Sequence, residues 1–175
     1  NEFLLSNYIF NNATDKEEKV LALENSLNVI ASNLFGAVRE GDMERLMHDK
    51  VHEGGALTKE FMNEICEDSL KYYYGNEVKL SPYVKGSWIF RSHYYTNFYL
   101  YNYAICVSIA ASLASKITDG DKETLDKYLN FLKFGSNIWP TDAFKELGIS
   151  LEDEKVYKNA INYFDKLISM LESLY

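Results

Sequence analysis

His93 and the tyrosines around it are the side chains in this sequence best suited to chemistry. Between Trp88 and Lys116 (WIFRSHYYTNFYLYNYAICVSIAASLASK) stand Tyr94, Tyr95, Tyr99, Tyr101 and Tyr103, among the 14 tyrosines of the chain, with few charges beside them. A phenol titrates near pH ~10, so at neutral pH it holds its proton and can donate a hydrogen bond to a developing negative charge. The spacing predicts one helix over the whole stretch, with Tyr95, Tyr99 and Tyr103 at i, i+4 and i+8 on a single face. That face would continue through Cys106 or Val107, Ala110, Leu113 or Ala114 and Ile117. Ala104, Ser108, Ala110, Ala111, Ser112 and Ala114 are small enough to let another helix approach closely. The same spacing also suits ordinary core tyrosines whose hydroxyls reach the surface, and spacing alone does not separate the two.

A second pattern is weaker. His48 and His52 stand four apart in HDKVH, which on a helix puts both imidazoles on one side, as in zinc-binding histidine pairs. Asp49 occupies the place of the catalytic glutamate of HExxH enzymes, and Glu77 follows further on. Aspartate is one methylene shorter, too short to reach a metal-held water. The surrounding MERLMHDKVHEGG reads as a charged, solvated face ending at two glycines. No GxSxG, phosphate-binding glycine loop or Cys–His pair at telling spacing is present.

Other helices must carry these residues. Asn1 to Phe10 reads as the end of a helix, closed by Asn11-Asn12-Ala13. Thr14 with Glu17 forms a capping box, and Val20, Leu23, Leu27, Ile30 and Leu34 follow at steps of three and four. Gly36 and Gly41 are expected to bend this helix before Met43, Leu46, Met47 and Val51 resume it, and Gly54-Gly55 stops it. Thr58 caps a helix holding Phe61, Ile65, Leu70 and Tyr73 up to Gly75. Asn76 to Ser87 reads as a loop, of a length that tends to be functional or mobile. After the aromatic helix and the Asp119-Gly120-Asp121 turn, Leu125, Tyr128, Leu129 and Leu132 mark a helix ending at Gly135. Trp139-Pro140 opens a short helix from Thr141 to Leu147, closed by Gly148. Val156, Ala160, Ile161, Phe164, Leu167, Ile168 and Leu171 mark the last one. No alternating strand pattern is found. The expected fold is all-α, one helical domain over 1–175.

At 175 residues and 47% apolar content the chain can bury a real core. A net charge of −8 with scattered lysines argues against a nucleic-acid or anionic-membrane surface. Cys66 and Cys106 form no CxxC, which fits a reducing, cytoplasmic setting. The apolar run Ala104 to Ala114 is too short to span a bilayer. The abrupt, apolar start in NEFLLSNYIF leads us to expect that upstream sequence is missing. A face left unpartnered in that way would favour self-association, across Tyr95–Tyr103 or near Asn1 to Phe10.

Around His93 the sequence resembles the oligoendopeptidase F zinc metallopeptidases, relatives of thimet oligopeptidase. Their C-terminal region reads W-x-x-I-P-H-F-Y-x-N-F-Y-V-Y-Q-Y-A-T-G-x-S-A-A. Trp88, His93, Tyr95, Asn97, Phe98, Tyr99, Tyr101, Tyr103, Ala104, Ser108 and Ala110 stand at the matching places. Upstream, Gly55-Ala56-Leu57-Thr58 through Asn63-Glu64 and Tyr73-Tyr74-Gly75 are similar to further family motifs. So are Tyr128-Leu129, Phe131-Leu132-Lys133, Gly135-Ser136, Pro140 and Leu147-Gly148 downstream. Ser92 replaces the usual proline, and Ile105-Cys106 the usual Thr-Gly, a change expected to narrow the space beside the cleft.

The resemblance implies a zinc oligopeptidase of short peptides in which His93, Tyr99 and Tyr103 face the reacting centre, with Tyr95 and Tyr101 as substrate-binding neighbours. In that family two zinc ligands come from HExxH and the third from the first glutamate of E-x-x-S-x-x-N-E, whose end Asn1-Glu2 resembles. All three would lie upstream of Asn1. The chain would then hold no metal itself and need the missing N-terminal portion to act. The alternative is a stand-alone helical scaffold that uses its aromatic groove for a peptide or an apolar ligand.

Overall fold

Asp15, Thr58, Asp121 and Asp153 each start a helix for one reason: a short oxygen-bearing side chain can take a backbone N–H that the first helical turn leaves unpaired. Asp15 accepts from the Glu18 amide at 2.8 Å, Thr58 from Phe61 at 3.2 Å and Asp121 from Thr124 at 3.0 Å. Asp153 accepts from Lys155 at 2.9 Å. The cap expected at Thr14 falls one residue later, on Asp15, whose charge also complements the helix N-terminus.

The computed structural model describes residues 1–75 and 77–175; Asn76, the first residue of the loop expected after Gly75, lies outside the described residues. The helices are α1 (Glu2–Asn12), α2 (Lys16–Ile30), α3 (Ala37–His52), α4 (Lys59–Tyr74), α5 (Tyr101–Thr118), α6 (Lys122–Phe131), α7 (Pro140–Glu146) and α8 (Glu154–Glu172). The described residues contain no strand, so the all-helical expectation holds. Between α2 and α3 the helix widens into a π-turn over Ala31–Gly36, and Gly41 lies inside α3. The irregularity expected at two glycines is therefore confined to the first.

The chain forms two compact units. The first comprises Asn1–Ser32 and Ile105–Tyr175. In it α1 and α8 lie against α2, and Phe3 meets Tyr163 edge to face, ring centres 5.8 Å apart. Ile109, Leu113, Leu147, Ile149 and Val156 make a buried cluster against which Ile105 packs. Of the small residues of α5, Ser108 and Ala111 are fully buried, and Asn159 of α8 reaches Ser112 Oγ at 3.4 Å.

The second unit is Asn33–Ala104. Its core is Met43 and Met47 of α3 with Met62, Ile65, Cys66 and Leu70 of α4. Val84–Phe90 forms a 3-10 helix along α4, from which Trp88 donates its indole N–H to Asn63 at 2.9 Å. Trp88, Val84, Leu80 and Tyr94 close over the methionine core.

The single helix expected from Trp88 to Lys116 does not form. A 3-10 turn spans Ser92–Tyr95, the backbone is irregular from Thr96 to Leu100, and the α-helix starts only at Tyr101. Backbone bonds here run three residues back, from Thr96 to His93, Tyr99 to Thr96 and Asn102 to Tyr99. Ser, His, Tyr, Thr, Asn and Phe, which fill 92–99, all lie in the weaker part of the helix-propensity scale, so tertiary contacts decide the path. Tyr95, Tyr99 and Tyr103 consequently do not share a helical face.

Met43 is 1% exposed at the centre of the second unit. Truncation there should remove both contacts and volume. Met43→Ala is expected to lower unfolding stability in urea by about 2–5 kcal/mol, whereas Leu21→Ala on an exposed face should change it by less than about 0.5 kcal/mol.

Candidate active site

The irregular path from Ser92 to Leu100 brings His93 to Tyr99 and Tyr103, from which a continuous α-helix would have separated it. His93 and Tyr99, six apart, would point about 120° away from each other on a helix of 3.6 residues per turn. Here their rings stack, with centres 6.0 Å apart and planes 16° from parallel. Tyr103, from the first turn of α5, meets His93 edge-on at 5.7 Å and Tyr99 edge-on at 5.4 Å. Its hydroxyl lies 3.3 Å from His93 Nε2; which of the two donates follows the imidazole tautomer. The cluster is at the surface, with Tyr99 43% exposed. The Tyr99 hydroxyl, and after it burial, raises the Tyr103 phenol above its ordinary pKa, so its proton is held more firmly.

Tyr95 and Tyr101 are placed differently. Tyr95 is 92% exposed and Tyr101 about half exposed. Among the described residues, the ring contacts that join His93, Tyr99 and Tyr103 extend to neither.

The frame behind the cluster comes from α3, and the motifs do not reveal it. Glu44 is buried, and its Oε1 accepts the Phe98 amide at 2.7 Å. Phe98 has φ 49°, the one non-glycine residue with positive φ among those described. That conformation costs roughly 1–2 kcal/mol, while a hydrogen bond to a charged acceptor contributes roughly 1.5–3 kcal/mol net. The carboxylate therefore sustains the turn. His48 stacks on the Phe98 ring, centres 4.6 Å apart, and His52 Nδ1 lies 3.0 Å from the His48 carbonyl. This histidine pair braces the turn and caps its own helix. Upstream, Glu40 takes Arg91 Nε at 2.7 Å and Arg39 Nη2 at 2.9 Å, both α3 residues of this network being buried.

One signal for these residues was present in the sequence. Glu40 precedes Met43 by three residues and Glu44 precedes Met47 by three, so both carboxylates share the phase of the apolar stripe. A charge on the buried stripe must find a partner.

Among the described residues no three His, Cys, Asp or Glu side chains converge as a metal-ion site. An apolar cavity of about 290 Å³ in the first unit, lined by Phe3, Leu4, Ile109, Leu113 and Phe144, carries no carboxylate, imidazole or lysine among its lining residues. Cys106 also lines it, and Ile105 packs in the neighbouring cluster. No described helix is long and apolar enough to cross a membrane.

Comparison with known proteins decides the family: the model for peptidase family M3 matches residues 1–163. The chain belongs to peptidase family M3. It is 30% identical over 174 residues to oligopeptidase PepF of Bacillus subtilis, covering 99% of this chain and 26% of that protein. The chromosomal oligoendopeptidase F of Lactococcus lactis subsp. cremoris is 29% identical, again over 99% of this chain and 29% of its own length. The crystal structure of oligoendopeptidase-F from Enterococcus faecium superposes with a TM-score of 0.87 at 27% identity, covering 97% of this chain and 33% of that one. This M3 chain thus spans between a quarter and a third of the length of each of these three relatives. The resemblance drawn from the His93 region is borne out at the level of family and fold.

Tyr94, next to His93, is turned into the core, where its hydroxyl approaches Met43 Sδ at 3.8 Å. Burial, then the nearby Glu40 charge, pushes its phenol well above the ordinary pKa of about 10. A raised folded-state pKa means that the folded chain holds this proton more tightly than the unfolded one. The associated stability is complete below about pH 10 and is lost as pH rises toward the folded value. Urea unfolding at pH 9 and pH 11 should show a drop in stability that Tyr94→Phe reduces.

Proposed function

We propose that this chain is the C-terminal, substrate-facing part of the catalytic domain of an intracellular, zinc-dependent oligoendopeptidase that hydrolyses short peptides. The observation that carries the reading is the half-exposed cluster of His93, Tyr99 and Tyr103 in a chain of peptidase family M3. The residues described here do not form a ligand set for zinc, so the metal's ligands are assigned to the upstream part of the same enzyme. Zinc held there would supply the activated water.

The part left to this chain is hydrogen bonding. As the peptide carbonyl is attacked, charge develops on its oxygen, and a donor already in place stabilises it without reorganisation. Tyr103 is the leading donor: its hydroxyl stands beside His93 at the exposed cluster, and that bond, at 3.3 Å, is long enough to be exchanged for a stronger one. Tyr99 stacks on the imidazole and fixes its plane. His93 then donates from a set direction, to the same oxygen or to the backbone of the substrate. Tyr95, with its ring in solvent, and Tyr101 would contact the peptide on either side of the bond to be cut.

Two assays test this. The 175-residue chain with excess zinc should not hydrolyse a quenched peptide, while the product of the complete gene should. Chelator-sensitive turnover by this chain alone would contradict the assignment of the ligands. In the complete enzyme, Tyr103→Phe should lower kcat and kcat/KM together by roughly 10²–10³-fold with KM little changed. Unchanged kinetics would remove Tyr103 from the mechanism.

A further inference from the structure

Three features of the second unit belong to one device. Glu40 and Glu44 stand four apart on α3 and grip the two ends of the segment that carries His93. Glu40 holds Arg91, two residues before the imidazole, and Glu44 holds the Phe98 amide, one residue before Tyr99. Between those points the chain has little freedom, because Tyr94 is anchored in the methionine core. What remains to be set is the direction in which the chain leaves Phe98. With Phe98 at φ 49° Tyr99 stacks on the imidazole; a negative φ at Phe98 would send the chain, and Tyr99 with it, in another direction.

We infer that Glu44 is a positioning residue for the reaction: its carboxylate holds Phe98 in the left-handed conformation and thereby seats Tyr99 on His93 and Tyr103. This rests on the role proposed above for those three residues, but its structural half stands without it. Glu44 is 2% exposed, and its second oxygen, Oε2, has no hydrogen-bond partner. Its other oxygen, Oε1, is the one that accepts the Phe98 amide, across 54 positions of sequence. The reach of the side chain is what matters here: the acceptor has to arrive at the Phe98 amide from α3.

The test separates reach from charge. Glu44→Gln keeps the length and the acceptor; Glu44→Asp keeps the charge and withdraws the acceptor by one methylene. In the 175-residue chain, NMR contacts between the His93 imidazole and the Tyr99 ring are expected to survive in Glu44→Gln and to be lost in Glu44→Asp. A control, Ile65→Val in the neighbouring core, should loosen the unit and leave those contacts intact. Persistence of the contacts in Glu44→Asp, or their loss in Glu44→Gln or in the control, would overturn the inference. In the complete enzyme Glu44→Asp should lower kcat on the order of 10²-fold with KM little changed, and Glu44→Gln should restore most of it. Should the NMR contacts behave as expected while the enzyme proves not to cleave peptides, the positioning stands and the proposed function fails. Should Tyr103→Phe abolish turnover while Glu44→Asp leaves the contacts in place, the function stands and the positioning fails.

Discussion

The bond between the Glu44 carboxylate and the Phe98 amide is the constraint from which the rest of the site follows. Residues 92–99 have weak helix propensity of their own, and this bond is what fixes the path they take instead. With it, one residue is kept in a conformation that L-amino acids avoid, and His93, Tyr99 and Tyr103 meet. The cost of the backbone conformation and the gain from a charge-assisted hydrogen bond are of the same order, so the turn is sustained with little net stability to spare. A site of this kind is bought by the helices around it, through the methionine core that fixes α3 against α4.

Much of the helical layout was legible in the primary structure. Val20, Leu23, Leu27 and Ile30 in α2, and Val156, Ala160 and Leu167 in α8, repeat at steps of three and four because those steps return to one side of a helix. Thr58, Gly75 and Gly148 punctuate the chain where a cap or a positive φ requires them. The stretch from Trp88 to Lys116 looks continuous in sequence because its tyrosines satisfy the α-helical period, while weak propensity alone does not mark where the helix gives way. The residue that holds the Phe98 turn, Glu44, is 54 positions away, and Phe98 is not a glycine that would announce a left-handed turn.

The candidate residues divide on the same physics. His93, Tyr99 and Tyr103 were named from the family motif and come together in space, but through tight turns and a left-handed residue instead of a shared helical face. Tyr95 and Tyr101, equally tyrosine-rich in pattern, are outside the ring cluster. Glu40 and Glu44 carry no motif, and only their phase on the apolar stripe of α3 distinguishes them from solvated charges. Of the two histidines whose spacing resembles a metal pair, His48 stacks on the Phe98 ring and His52 bonds back to its own helix end.

The central claim is that the cluster presents hydrogen-bond donors to the oxygen of the bond being cut. The most direct measurement is a crystal structure of the complete enzyme with a phosphinic peptide, whose tetrahedral phosphorus carries oxygens where the developing oxyanion would be. The claim requires a phosphinyl oxygen within about 2.7–3.1 Å of the Tyr103 hydroxyl or of a His93 ring nitrogen. An inhibitor bound productively with both groups out of hydrogen-bond reach would contradict it.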